Sequence, residues 1–203
     1  ANHSWALIAY AWFLDGQGRY EEAVPLVDRA LEVDPFTLFI LNQGLLAYQW
    51  ARQYDRAIEV GKETLSLFPN SLDSHWVLVH PYLWKGSFKE AFAEIQKIGE
   101  LGGPTQQRLH VLACAYALSG ERSKAYDIMN ELLNLEKEKY VNPFLIARVY
   151  GSLGDKDKAL EWLGKCYKER ASTFYIIKAD PHFDFLHGDP RFTALLKKMR
   201  LEK

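Results

Sequence analysis

The fold is decided by the segment GRYEEAVPLVDRALEVDP, which covers residues 18–35. Its register returns 34 residues later in RQYDRAIEVGKETLSLFP, residues 52–69. A fixed period of this length indicates a chain built from repeated supersecondary structures. Three sets of residues repeat at intervals of 34, and we call each set a ladder. The alanine ladder is Ala23, Ala57, Ala91, Ala125 and Ala159, and the tyrosine ladder is Tyr48, Tyr82, Tyr116 and Tyr150. The glycine ladder is Gly18, Gly86, Gly120 and Gly154, with Arg52 at the one position where glycine is absent.

Each repeat is predicted to form two helices. In the first repeat, apolar residues at i, i+3, i+4 and i+7 over residues 7–14 predict one helix, and the following DGQG sequence breaks it. A second helix from Tyr20 ends before Pro35, because the residue before proline avoids the helical region. We expect the ladder alanine where the second helix crosses the first closely. No useful run alternates with period two, so no sheet is predicted.

The register Leu7, Ala11, Tyr20, Ala23, Ala30 and Pro35 makes the chain resemble a tetratricopeptide-repeat (TPR) protein. The resemblance implies an all-α fold, a right-handed superhelix (solenoid) of five TPR helix pairs with a C-terminal helical cap. The repeats are expected at about residues 4–37, 38–71, 72–105, 106–139 and 140–171, and the capping helices at 172–203.

The sequence after the repeats contains two Asp-Pro pairs, which predict a short helix from Pro181 and a final helix from Pro190 to about Arg200. His182 and His187 are expected in solvated loops between these turns. This tail resembles the C-terminal ends of TPR regions in large bacterial signalling proteins, where repeats follow a kinase, a cyclase or a winged-helix domain. Because the chain also lacks an initiator methionine, we expect a fragment of a larger regulatory protein.

Charge and composition exclude several classes of protein. The 203 residues include 25 basic and 26 acidic ones, a balance that argues against nucleic-acid binding through phosphate neutralisation. The longest apolar run, Trp5–Leu14, is shorter than the roughly 20 residues of a membrane span. Two cysteines make no disulfide framework, which fits a reducing compartment, and a cytoplasmic location is expected.

The tryptophans point to a binding surface. By the resemblance, the first helix of each repeat lines a concave face, and five of the six tryptophans fall there. Such helices should be polar opposite their core stripe, and exposed apolar patches usually mark interfaces. The alternative is internal packing, in which the tail or tight curvature buries these side chains. The predicted partner-binding residues are Trp12, Phe39, Asn42, Trp50, Trp76, His80, Trp84, His110, Phe144 and Arg148.

The favoured function is a non-enzymatic scaffold that binds an apolar or aromatic-rich peptide or a partner domain. A carboxylate clamp is disfavoured, because only Asn42 and Arg148 at the corresponding positions have suitable chemistry. Two alternatives stay open: a sensor that holds a small apolar molecule, and a module for self-association into a homo-oligomer.

No catalytic, metal or cofactor site is predicted. His80, His110 and Cys114 could converge as zinc ligands, but no fourth ligand is evident. Cys114 as a nucleophile lacks an orienting acid and an oxyanion motif. The Gly99–Pro104 turn lacks the lysine and hydroxyl residue of a phosphate loop.

Overall fold

The computed structural model describes residues 3–171 and 176–201, and helices make up most of that part of the chain. No strand occurs among these residues, so the predicted all-α class is confirmed. Within the same ranges, no helix combines the length and apolar character needed to cross a bilayer. The α-helices are α1 Ser4–Gly16, α2 Tyr20–Val33, α3 Leu38–Trp50, α4 Tyr54–Leu67, α5 Leu72–Trp84, α6 Phe88–Glu100, α7 Thr105–Leu118, α8 Arg122–Glu138, α9 Pro143–Leu153, α10 Lys156–Glu169 and α11 Pro190–Lys198.

Consecutive helices pack in pairs: α1 with α2, α3 with α4, α5 with α6, α7 with α8 and α9 with α10. Each pair lies within one predicted repeat. The alanine ladder occupies the second helix of every pair, and all five alanines are 0% exposed. A larger side chain at such a position would force the surrounding helices apart, which explains why the period appears most clearly in alanine.

The turn inside each pair has a left-handed residue at the position of the glycine ladder. Gly18, Gly86, Gly120 and Gly154 have φ between 70° and 88°. Arg52 takes the same conformation, with φ of 59°, although it carries a side chain. Glycine adopts this region without steric penalty, and for other residues the region is unfavourable. Every repeat therefore has the same left-handed backbone conformation at this turn position, and glycine is the residue that adopts it with the least strain.

The chain divides into two compact units. The N-terminal unit, Ala1–Gly102, contains α1 to α6. In it, α3 contacts both α1 and α5, so the first helices of three repeats form one layer, while α2 and α4 each contact the first helix that follows. Ile8, Leu45 and Leu78 from this layer are at most 1% exposed, which places the core of the unit between the first and second helices.

The C-terminal unit, Gly103–Lys203, contains α7 to α11 and a 3₁₀ helix at Pro181–Leu186. Asp180 accepts a hydrogen bond from the backbone N–H of His182, and Asp189 accepts one from that of Arg191. The two Asp-Pro pairs thus begin helices as predicted. In this unit, α9 contacts α7, α8, α10 and the 3₁₀ helix, so α9 is surrounded by packed elements.

Candidate binding site

Three aromatic residues of the N-terminal unit form a surface cluster, which we call the N-terminal aromatic cluster: Trp5, Trp12 and Phe39. Trp5 and Trp12 lie two turns apart on one side of α1, and Phe39 lies in the first turn of α3. The Trp5 ring stacks on the Phe39 ring with centroids 4.3 Å apart and planes at 10°. The Trp12 ring meets Phe39 edge-on, with centroids 5.8 Å apart and planes at 83°.

The cluster is open to solvent and fixed in orientation. Trp5 is 51% exposed and Trp12 is 48% exposed, whereas the neighbouring Ile8 on α1 is buried. The Trp12 indole Nε1 donates a hydrogen bond to Gln43 Oε1 at 2.8 Å. A large apolar ring that is already held in one orientation loses little conformational entropy when a partner binds, so it is a favourable contact.

The other predicted tryptophans of this unit, Trp50, Trp76 and Trp84, are partly buried. Trp76 packs edge-on to His80, with ring centroids 5.6 Å apart. Its indole Nε1 is buried and donates no hydrogen bond within the described residues. These rings are therefore less available than the N-terminal aromatic cluster.

Two polar residues that we predicted to select a partner, Asn42 and His80, lie inside the N-terminal unit. Asn42 is 8% exposed and its Oδ1 accepts a hydrogen bond from Ser74 Oγ at 2.8 Å, while His80 is 2% exposed. The structure corrects the expected surface placement of both residues, and Asn42 is buried where α5 packs on α3.

In the C-terminal unit, the predicted binding residues Phe144 and Arg148 are covered by the segment after the repeats. Arg148 Nε donates a hydrogen bond to Asp180 Oδ2 at 2.6 Å, and both side chains are at most 5% exposed. The Arg148 guanidinium also lies over the Phe144 ring, 4.7 Å from its centroid. The Phe183 ring packs against Phe144 with centroids 5.8 Å apart. The two α9 side chains are thus occupied from within the chain.

Asp180 links α9 to the 3₁₀ helix. Burial alone would raise the pKa of Asp180, but the Arg148 guanidinium holds it well below its usual range. His182 Nδ1 donates to Asp180 Oδ1 at 2.6 Å, and burial lowers the pKa of His182, so its imidazole is neutral at pH 7. Our expectation that His182 lies in a solvated loop is wrong, because the segment folds back onto α9.

His110, on α7, is fully buried, and its ring centroid lies 6.4 Å from that of His182. Burial raises the pKa of the nearby Cys114 to about 12, so this residue is an uncharged thiol at neutral pH. Among residues 3–171 and 176–201, no three His, Cys, Asp or Glu side chains are grouped to hold a metal ion. The structure thus corrects the expected surface placement of His110, Phe144 and Arg148, and internal packing describes these three residues.

The close contact between Gly151 of α9 and the backbone of His182 was not predicted from the sequence. A Cβ atom at this position would lie 2.4 Å from the backbone carbonyl oxygen of His182. Only glycine lets the tail backbone approach α9 so closely. The available signal was a glycine inside a predicted helix and outside the glycine ladder, which often marks a close backbone approach.

Comparison with known proteins agrees with this architecture. The sequence model of the tetratricopeptide-repeat family matches residues 6–37 and 144–173, which correspond to the first and last helix pairs. No curated protein matches the sequence. The repeats that the sequence indicated are thereby confirmed at both ends of the repeat array.

Several solved structures share this fold over most of the length of the chain. A thermophilic TPR protein from Thermus thermophilus is 23% identical, with 95% of this chain and 98% of that chain covered and a TM-score of 0.64. A tetratricopeptide repeat protein from Parabacteroides merdae is 17% identical, with 97% and 77% covered and a TM-score of 0.66. YrrB, described as a TPR protein with an unusual peptide-binding site, is 18% identical, with 85% and 89% covered and a TM-score of 0.51. The tetratricopeptide fold is generally a non-enzymatic scaffold for protein–protein interaction.

Proposed function

We propose that this protein is a non-enzymatic interaction module that binds a peptide or a partner domain through the aromatic side chains of α1, α3 and α5. The observation that carries the proposal is the N-terminal aromatic cluster, in which two tryptophans are about half exposed and one is oriented by Gln43. Tryptophan is enriched among the residues that dominate binding energy at protein interfaces.

Within this proposal the predicted residues divide by accessibility. Trp12 and Phe39 provide the anchor, and the partly buried Trp50, Trp76 and Trp84 extend the apolar surface along the same layer of helices. Buried polar residues such as Asn42 hold neighbouring first helices together through hydrogen bonds. Binding energy therefore comes from aromatic contact area, and the polar network supplies rigidity.

The C-terminal segment, residues 176–201, has a different proposed role. It covers the last helix pair with Phe183, Leu186 and Phe192, each of which is at most 1% exposed. A terminal element of this kind keeps the last repeat of a solenoid from exposing its apolar face. We propose a cytoplasmic location because two cysteines make no disulfide framework, and membership of a larger regulatory protein because of the resemblance of this tail.

Affinity capture with the full chain tests the proposal. We compare wild type with Trp12→Ala and Trp76→Ala, and use Phe13→Ala as the matched control, because Phe13 is 58% exposed on α1 and lies outside the cluster. We expect Trp12→Ala to lose most of the partner that wild type and Phe13→Ala retain, and Trp76→Ala to lose part of it. Equal recovery by all four proteins would contradict binding at this surface.

A further inference from the structure

The helices that carry the N-terminal aromatic cluster contain no positively charged side chain. The first helices of the N-terminal unit, α1, α3 and α5, contain no lysine or arginine, and their only formal charges are Asp15 and Asp73. Over Ala1–Gly102 there are 13 acidic and 8 basic residues, a formal net charge of -5. The formal net charge of the full chain is only -1, so the negative charge of the N-terminal unit is not apparent from the overall composition.

A carboxylate also lies beside the cluster. Ser4 Oγ donates a hydrogen bond to Asp34 Oδ2 at 3.3 Å, and Ser4 directly precedes Trp5. Asp15 follows Trp12 by one helical turn on the same side of α1. The Asp34 carboxylate thus lies at the Trp5 end of the line that joins the two tryptophans, where it favours a positively charged ligand. The Asp15 carboxyl at the Trp12 end is buried, and burial raises its pKa to about 7, so it is only partly ionised at neutral pH.

The two indoles form a corner. Trp5 is nearly parallel to Phe39 and Trp12 is nearly perpendicular to it, so the planes of the two tryptophans meet at about a right angle. Phe39 covers one face of Trp5, and the exposure of the Trp5 ring comes from its remaining surface. An ammonium or guanidinium group over such an indole face is attracted by the ring quadrupole.

Several other aromatic rings of the chain already have a cation over them. Among the described residues, Arg56 lies over Tyr48, Lys124 over Tyr116, Arg148 over Phe144 and Lys165 over Trp162. No contact of this kind involves Trp5 or Trp12 in that part of the chain. The exposed tryptophans of an acidic unit therefore receive no cation from residues 3–171 and 176–201.

We infer that the N-terminal aromatic cluster binds an arginine or lysine side chain from a basic, partly apolar peptide segment of a partner protein. This inference rests on the proposed function and names the partner class for the same surface. The cation packs on the indole faces of Trp5 and Trp12, and the acidic unit attracts the rest of the segment. Apolar residues beside the cation contact the remaining aromatic surface.

Fluorescence anisotropy with the full chain tests the inference. The probes are three fluorescein-labelled octapeptides in which leucine alternates with arginine, with glutamine or with glutamate. In about 0.15 M salt, where long-range attraction is screened, we expect the arginine peptide to bind at least about ten times more tightly than the glutamine peptide. The glutamate peptide should bind most weakly.

Variants of the two tryptophans test whether the cation binds at the N-terminal aromatic cluster. Trp5→Leu and Trp12→Leu keep an apolar side chain but remove the indole face, and each should weaken binding of the arginine peptide by roughly 3- to 30-fold. Trp5→Phe and Trp12→Phe should retain part of the affinity. Phe13→Leu, on the same helix, should bind like wild type. Circular dichroism establishes that every variant is folded before it is compared.

Each other outcome overturns a defined statement. If the glutamine peptide binds as tightly and is equally weakened by Trp12→Leu, the cation preference is wrong and the proposed function stands. If the arginine peptide binds all variants equally, general charge attraction explains binding and the cluster is not the site. If no peptide binds, both the inference and peptide binding by this surface are wrong. If Trp12→Leu abolishes a concentration-dependent dimer of the chain, the occupant is a second copy and the inference is again wrong.

Discussion

At the scale of single residues, the same left-handed backbone conformation recurs in the turn between the two helices of each pair. Gly120 has φ of +88°, and a Cβ atom added there would meet no other atom within 4 Å. Gly120→Ala therefore tests backbone conformation without a steric clash. We expect the free energy of unfolding to fall by about 1 kcal/mol, because the left-handed region is unfavourable for alanine. Urea denaturation measures the change.

Gly164→Ala is the control for Gly120→Ala. Gly164 lies within α10, and an added Cβ there would also meet no atom within 4 Å. In a helix interior, alanine is favoured over glycine by roughly 0.5–1 kcal/mol, so this variant should be more stable than wild type. A loss of stability of equal size in both variants would show that left-handed backbone is not the cause.

Asp15 gives the protein a specific dependence on pH. Burial raises the pKa of this carboxyl from 3.8 to about 7. Between these values the folded state binds more protons than the unfolded state, so the free energy of unfolding falls as the pH rises from 4 to 7. Asp15→Asn removes this effect, and its stability relative to wild type should rise by on the order of 2 kcal/mol between pH 5 and pH 8.

Thermal unfolding at several pH values measures the effect of Asp15→Asn. The matched control is Asp73→Asn, which changes an exposed aspartate on α5, another first helix of the same unit. The Asp73 variant should follow the wild-type profile. If Asp15→Asn and wild type keep a constant difference from pH 5 to pH 8, the Asp15 carboxyl does not titrate in that range.

At the scale of secondary-structure elements, a buried ion pair between Arg148 and Asp180 helps to hold the 3₁₀ helix on α9. Arg148→Met leaves the Asp180 carboxylate buried without its guanidinium, and we expect a loss of about 3–5 kcal/mol in unfolding free energy. The double variant Arg148→Met with Asp180→Asn removes both charges, keeps a side-chain oxygen that can accept from His182, and should recover most of this loss. Chemical denaturation of the single and double variants measures the difference. A double variant that is no more stable than Arg148→Met would contradict an uncompensated charge as the cause.

The sequence predicted the helix pairs well, since every ladder alanine is buried and the Asp-Pro pairs begin helices where expected. It did not predict which surface the tail covers. Periodicity identifies the side of a helix that is buried, but it carries no information on the element that buries it. Arg148 and His182 were therefore misplaced, because a charged or titratable residue was expected at the surface and its partner, Asp180, is 32 residues from Arg148.

The same limitation explains the mixed result for the candidate binding residues. The repeat register placed ten of them on the inner side of the first helices. Exposure separates Trp12, which is about half exposed, from Phe144 and His110, which are at most 1% exposed. The separation depends on contacts between different repeats and with the tail, and one helix period cannot reveal such contacts.

At the scale of the whole molecule, the tryptophans report on the two units separately. Trp162 is the one tryptophan beyond Gly102, and the other five belong to the N-terminal unit. Trp162→Phe therefore confines indole emission to the N-terminal unit. In the combination of Trp162→Phe with Arg148→Met, we expect the far-ultraviolet circular dichroism to show an earlier partial loss of helix, with indole emission unchanged at that denaturant concentration. Coincident transitions would mean that the two units unfold together.

The close approach of the His182 carbonyl to Gly151 has a consequence for how such a chain can change its length over evolution. A helix pair duplicated upstream of α9 meets other repeats and needs only the common register. A pair inserted between α10 and the tail would have to bring its own Gly151, Arg148 and Phe144 equivalents, because the tail fits these three residues together. Repeat gain and loss are thus easiest upstream, and α9 and the tail are expected to be inherited as one piece.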